Sequence, residues 1–214
     1  MYFVKTPPFI KTLFSEYTWN APPHSNTVYL TFDDGPIPEV TPWVLDRLSE
    51  YNCKATFFCV GENITRHRDI YYRIADEGHA VGNHTFNHLN GWRTDFAIYM
   101  DNVAKCNIFT ESPLFRPPYG KLTPRQAQAL KQDYKVVMWD ILSGDFDPHI
   151  SAEKCLNNVI GNMQPGSVIV FHDSLKAWEK LKIVLPVVLE YMAQKGMTSQ
   201  NLLSLIPDKE PAIL

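Results

Sequence analysis

Short apolar runs of strand length alternate with helical patterns along nearly the whole chain, and that alternation limits the folds open to it. Strand-like runs fall at residues 28–32 (Val-Tyr-Leu-Thr-Phe), 54–60, 79–82, 114–115, 135–139 and 167–171. Between them, residues 39–51, 63–77, 94–110, 123–133, 151–163 and 181–195 carry apolar side chains at helical spacing, as in Val40, Trp43, Val44 and Leu48. Thr41-Pro42 and Thr123-Pro124 are helix starts, Ser151 is an N-cap, and Gly78 is a C-cap. Strands that alternate with helices run parallel and cross over right-handedly. The chain has 214 residues, short for an eight-unit barrel of about 250. The expected architecture is therefore α/β: a distorted, incomplete (β/α) barrel of about seven parallel strands in a single domain. Residues 1–26 read as an extended N-terminal arm, 27–206 as the domain itself and 207–214 as a C-terminal tail.

Bulk properties mainly exclude. A net charge of −3 without a Lys/Arg cluster argues against nucleic acid as a partner. No GxGxxG or P-loop follows the first strand, which weakens nucleotide-binding readings. Cys53, Cys59, Cys106 and Cys155 form no CxxC pair and no zinc-ribbon spacing. They read as free, partly buried thiols of a reducing compartment, although an even number leaves disulfides open. There is no signal-peptide h-region and no transmembrane-length apolar run, so the sequence leads us to expect a cytoplasmic, monomeric protein.

The chemistry gathers where strands end. The first strand terminates in Asp33-Asp34 and then a Gly35-Pro36 turn signal. Two adjacent carboxylates there read either as a polar turn or as a site built at a C-terminal strand end. His84 and His88 stand four residues apart after another strand. On a helix that spacing puts both on one face, able to grip a metal; off a helix they read as capping or surface histidines. Arg116-Pro117-Pro118-Tyr119-Gly120 is a rigid loop, open to reading as a plain turn or as a source of backbone N–H groups for an oxyanion. Asp145 follows the strand ending at Trp139, and the run 167–171 leads straight into His172-Asp173. A His held by a carboxylate can act as a general acid. His24, His67, His79 and His149 lack comparable surroundings and read as ordinary. Each cluster alone is ambiguous; together they supply the residue types of metal-assisted hydrolysis.

Taken together these residues resemble the polysaccharide deacetylases of the NodB-homology type, carbohydrate esterase family 4. Residues 31–36 read TFDDGP, 84–88 read HTFNH, 116–120 read RPPYG, and 170–172 approximate L-x-H, all in the family's order. The resemblance implies a divalent metal, most often zinc with cobalt or nickel able to substitute, held by Asp34, His84 and His88. It implies Asp33 as general base oriented by Arg116, and the backbone N–H of Tyr119 as an oxyanion donor. His172 would be the general acid, held by Asp145. The fourth family motif, usually D-x-x-D-W, departs here: Leu142 replaces the first Asp and Phe146 the Trp, while Asp145 is kept. Val170 stands where Leu is usual, so the lining of the acetyl pocket differs.

The activity implied is removal of N-acetyl groups from a peptidoglycan- or chitin-type glycan. An O-acetyl esterase of the xylan type shares the chemistry but depends less on His172. A non-catalytic glycan-binding module would show gaps in the site residues, and none is seen. A cell-envelope substrate would require an export route that the sequence does not display.

Overall fold

The computed structural model describes residues 2–23 and 26–206; His24 and the expected tail at 207–214 lie outside them. The first elements are α1 (Pro8–Leu13), β1 (Thr27–Asp33), α2 (Thr41–Glu50), β2 (Ala55–Cys59), α3 (Gly61–Arg66) and α4 (Arg68–Asp76). β3 (Ala80–Asn83), α5 (Phe96–Thr110), β4 (Leu114–Phe115), α6 (Pro124–Leu130), β5 (Lys135–Val136) and β6 (Ile141–Leu142) follow. α7 (Ala152–Ile160), β7 (Val168–His172), α8 (Trp178–Gln194) and β8 (Thr198–Ser199) complete the order.

Seven strands lie in the order β5-β4-β3-β2-β1-β7-β6, every neighbouring pair parallel, and curl into an incomplete (β/α) barrel. β8 adds a short parallel pairing at the start of β1, Thr27 opposite Thr198. Strand β1 is central, and its two faces do different work. Val28, Leu30 and Phe32 pack under the helices with Leu45, Leu185 and Val188. Phe32 also stacks between Phe57 and Phe171, at 5.1 and 5.9 Å between ring centres. Tyr29, Thr31 and Asp33 point into the barrel. Both faces are buried, so the strand reads as one apolar run rather than an alternation.

The arm is not extended throughout, because α1 interrupts it; Pro8 at its first position favours a helical start. Around that helix the arm lines both outer strands. Leu142 N–H donates to Val4 O at 2.8 Å, Thr18 N–H to Val136 O at 2.9 Å, and Met138 N–H to Thr18 O at 2.7 Å. Lys5 and Lys11 reach the fully buried Asp140 at 2.6 and 2.5 Å, and Ser167 Oγ donates to it at 2.7 Å. The arm thereby satisfies edges that an open barrel leaves unpaired.

Other boundaries also differ from expectation. The helix expected over 63–77 is two helices, broken at His67 (φ −135°, ψ 57°). α3 packs on α5 while α4 packs on α2 and β3, and two sets of partners require two axes. The strand expected over 135–139 ends at Val136. Val137 and Met138 instead give their carbonyls to Arg116, and β6 begins after Asp140. α8 keeps Pro186 inside it. All four cysteines are buried and free. Among the described residues no helix is long and apolar enough to cross a membrane.

Candidate active site

β1 delivers Asp33 pointing inward, where Arg116 waits. The guanidinium is fully buried, and its Nη1 donates to Asp33 Oδ1 at 2.7 Å and to Thr31 Oγ1 at 2.8 Å. Nε and Nη2 donate to the carbonyls of Val137 and Met138 at 3.3 and 2.9 Å. Burial pulls the Arg116 pKa down and Asp33 pulls it back, so the group stays charged. Asp33 Oδ1 is thus fixed, and Oδ2 is turned towards His84 Nε2, 4.0 Å away.

Neighbouring strand residues face opposite ways, yet Asp34 serves the same site because its backbone turns into the left-handed region (φ 86°). Asn63 Nδ2 donates to Asp34 O at 2.7 Å and holds that turn. Behind it, the buried Asp173 accepts from Gly35 N–H at 3.0 Å and from Thr41 Oγ1 at 2.6 Å. A side chain at Gly35 would collide with the Asp173 carboxylate, which is why the turn needs glycine. Burial pushes the Asp173 carboxyl up to about 8, against the pull of those two donors.

His84 and His88 come not from a helix but from an irregular loop with Thr85 (φ 62°) and His88 (φ 56°) in left-handed conformations. Asn83 and Thr85 brace it: Thr85 N–H donates to Asn83 Oδ1 at 2.9 Å and Leu89 N–H to Thr85 Oγ1 at 3.0 Å. His84 Nδ1 sits 2.7 Å from Arg116 O. A carbonyl only accepts, so Nδ1 carries the proton and Nε2 presents a lone pair to the site. Burial lowers the His84 pKa to about 4, which keeps the ring neutral.

Asp34 Oδ1 lies 3.2 Å from His88 Nε2 and 3.9 Å from His84 Nε2. It is buried and has no aligned hydrogen-bond partner. Burial alone would raise its pKa, but contact with His88 and the nearby His172 and His84 hold the carboxyl well below the ordinary range. The three ligand atoms lie within 4.8 Å of one another. One orphaned carboxylate oxygen beside two imidazole nitrogens fits a divalent metal with positions left open, the donor set of a catalytic rather than a structural centre.

Across the cavity, His172 ends β7. Its Nδ1 meets Asp145 Oδ1 at 2.8 Å, and its backbone N–H donates to Asp145 Oδ2 at 2.7 Å. Burial works against the charged ring, but the Asp145 carboxylate outweighs it, with Asp34 and Asp33 adding, and the pKa rises to about 9. Phe146 packs edge-on to the ring at 5.0 Å. Tyr119, at φ 61°, lays its own ring 4.7 Å from that of His88.

Asp33, Asp34, His84, His88, Tyr119 and His172 line one cavity of about 480 Å³. Arg116 and Asp145 lie behind it, fully buried. Leu142, Phe146 and Val170, the positions that depart from the family pattern, form an apolar side of the same cavity with Trp139. Tyr2, Lys121 and Lys176 reach its rim, and nothing in their local sequence marks them. Asp173 does carry a signal, since it directly follows His172. His79 accepts a backbone N–H from Ala55 at 3.1 Å away from this cavity, an ordinary structural histidine.

The sequence pattern of the polysaccharide deacetylase family matches residues 20–137, more than half of the chain. The chain belongs to the polysaccharide deacetylase family. Deacetylases of this carbohydrate esterase family depend on metal. A peptidoglycan-N-acetylglucosamine deacetylase of Bacillus cereus is 40% identical over 74% of this chain, and the match spans 60% of that relative. A chitooligosaccharide deacetylase of Azorhizobium caulinodans is 34% identical over 70% of this chain and 75% of its own length. The crystal structure of a peptidoglycan N-acetylglucosamine deacetylase bound to 4-naphthalen-1-yl-N-oxidanyl-benzamide superposes with a TM-score of 0.83. It is 33% identical and covers 94% of this chain and 98% of its own. The family match begins only at residue 20, so most of the arm lies outside it.

Proposed function

We propose that this protein is a zinc-dependent hydrolase that removes N-acetyl groups from a peptidoglycan- or chitin-type glycan. One observation carries the reading: a carboxylate fixed by a buried arginine and a cationic imidazole fixed by a buried carboxylate line the same cavity as the Asp34, His84 and His88 cluster. The substrate class follows what the relatives are named for, peptidoglycan N-acetylglucosamine and chitooligosaccharides.

Asp34, His84 and His88 would hold the metal, which when bound makes water a better nucleophile at neutral pH and polarises the amide carbonyl. Asp33 takes the proton of the attacking water on Oδ2, because Oδ1 is occupied by Arg116. The Tyr119 backbone N–H is the chain's own donor for the developing oxyanion. His172, with Nδ1 clamped by Asp145, gives its Nε2 proton to the leaving nitrogen. An amine leaves poorly without that proton and an alkoxide needs it less, so the cationic His172 favours N-deacetylation over ester hydrolysis.

Acetate release from N-acetylglucosamine oligomers and from peptidoglycan fragments tests this, using protein stripped with chelator and reloaded with zinc. Release should require zinc and should fall by about 10²–10⁴-fold in Asp33→Asn with metal still bound. His84→Ala should lose both metal and activity. Release from acetylated xylan alone would move the assignment to an esterase, and absence of bound metal would defeat the mechanism.

A further inference from the structure

We propose that the N-terminal arm, together with Trp92 and the loop after Arg116, builds an aromatic groove that continues the active-site cavity and binds the sugar units flanking the one deacetylated. This rests on the glycan reading of the site and adds where the rest of the polymer lies.

The surface beyond the cavity is a chain of adjoining depressions. The catalytic cavity shares Tyr2, Tyr119, Gly120 and Trp139 with a depression of about 200 Å³. That depression shares Ile10, Trp19, Gly120 and Met138 with a third, of about 220 Å³. The third shares Phe14, Tyr17, Trp92 and Leu122 with an outer one of about 660 Å³. Shared lining residues set these depressions side by side, in a row leading away from the metal cluster along the arm.

The rings on this path are exposed yet held in place. Trp92 is 65% exposed, but its indole N–H donates to Leu122 O at 2.9 Å and the Lys121 ammonium sits over its ring at 4.9 Å. Phe14 is 42% exposed and stacks parallel on Tyr17, ring centres 5.8 Å apart. Trp19 Nε1–H fastens the same segment through Phe14 O at 2.9 Å. Rings exposed together in a groove mark a binding surface, whereas a single exposed ring does not. Fixing them beforehand removes the cost of ordering them when a ligand arrives.

The groove's chemistry suits a ring-shaped occupant with polar edges. Glu16 and Lys131 at its outer end pair with each other at 3.3 Å, and Lys11 is turned away to Asp140. What remains is aromatic surface with the Lys121 ammonium over Trp92 and with Thr123 and Gln128 at the outer edge, the complement of a pyranose with apolar C–H faces and a rim of hydroxyls. A polymer with one unit in the cavity must lay its neighbours on adjoining surface, and this is the aromatic path that adjoins it.

Two measurements test the groove. The first compares kcat/KM for acetate release from the N-acetylglucosamine dimer and hexamer. The hexamer-to-dimer ratio should fall about tenfold in Trp92→Ala and in Phe14→Ala, the size of one lost ring contact, and Trp92→Phe should restore most of it. A ratio unchanged from wild type, or an equal loss on both lengths, would overturn the proposal. The second is calorimetric binding of the hexamer to zinc-loaded Asp33→Asn, which does not depend on turnover. Its Kd should rise about tenfold when Trp92→Ala is added. Hexamer binding that weakens in Trp92→Ala, with no acetate release by zinc-loaded wild type, would leave the groove standing and remove the deacetylase reading. Absence of hexamer binding would remove the groove whatever the activity.

Discussion

A histidine can be a general acid only while it is charged, so the fate of His172 depends on what faces it. Burial works against the charge; Asp145 restores it through contact at 2.8 Å and brings the pKa to about 9, with Asp34 and Asp33 adding. Metal bound at Asp34 would cancel much of what those two carboxylates contribute and leave Asp145 as the main support. The alkaline limb of kcat in the zinc enzyme should therefore fall between the free-imidazole value of about 6.5 and about 9. Activity declines as pH rises through it, because the proton to be given is lost. Asp145→Asn should move that limb to lower pH in a kcat–pH profile, and a limb that stays put would mean another group supplies the proton. The stability linkage has the same origin. A folded pKa raised from the free-imidazole value of 6.5 to about 9 gives stability that is full below about pH 6.5 and lost as pH climbs through about 9. The Tm of chelator-treated protein should fall across that window, and Asp145→Asn should flatten the fall.

At the scale of elements, the chain announces its strands better than its edges. Runs such as 28–32 and 167–171 are apolar because both of their faces are buried, and the polar residues that end them stand out by contrast. That contrast made Asp33, Asp34, His84, His88 and His172 legible. The spacing of His84 and His88 suggested a helical face, whereas a loop with two left-handed residues brings them together, a geometry no periodicity encodes. β6 and β8, two residues each, were not legible, because what makes them strands is pairing with β7 and with the start of β1. Tyr2, Trp92 and Trp139 were not legible either, since their places depend on how the arm folds back. What holds the arm is a buried carboxylate facing two lysines, and the asymmetry of that cluster is testable. Lys5 and Lys11 keep 32% and 22% of their side chains exposed, whereas Asp140 has none. Removing both lysines strands a buried anion and should cost about 3 kcal/mol. Asp140→Ala releases two lysines that can reach water and should cost less, roughly 1 kcal/mol. Denaturant midpoints of Lys5→Met/Lys11→Met and of Asp140→Ala would show that order. Equal losses would mean that the cost does not follow which partner is buried, and two negligible losses that the backbone bonds to β5 and β6 hold the arm.

For the molecule as a whole, the same cluster that serves chemistry also joins distant parts of the chain. Asp34 follows directly on the central strand, whereas His84 and His88 follow the third, with α2, α3 and α4 between them. An ion shared among these ligands binds the folded barrel and not the unfolded chain, so it must stabilise the fold. Free zinc at about a thousand times Kd contributes ~4 kcal/mol, and for a domain of this size each kcal/mol moves Tm by about 2–4 °C. Zinc added to stripped protein should thus raise Tm by ~10 °C. His84→Ala tests where the ion sits: its starting Tm can fall because an imidazole is missing from the buried wall, but the zinc-dependent rise should vanish. Asp33→Asn should keep the rise, because Asp33 is bound to Arg116 and is not needed as a ligand. A rise that survives in His84→Ala would place zinc away from the cavity. A rise lost in both variants would make Asp33 a ligand, and the base would then have to be sought among other groups lining the cavity.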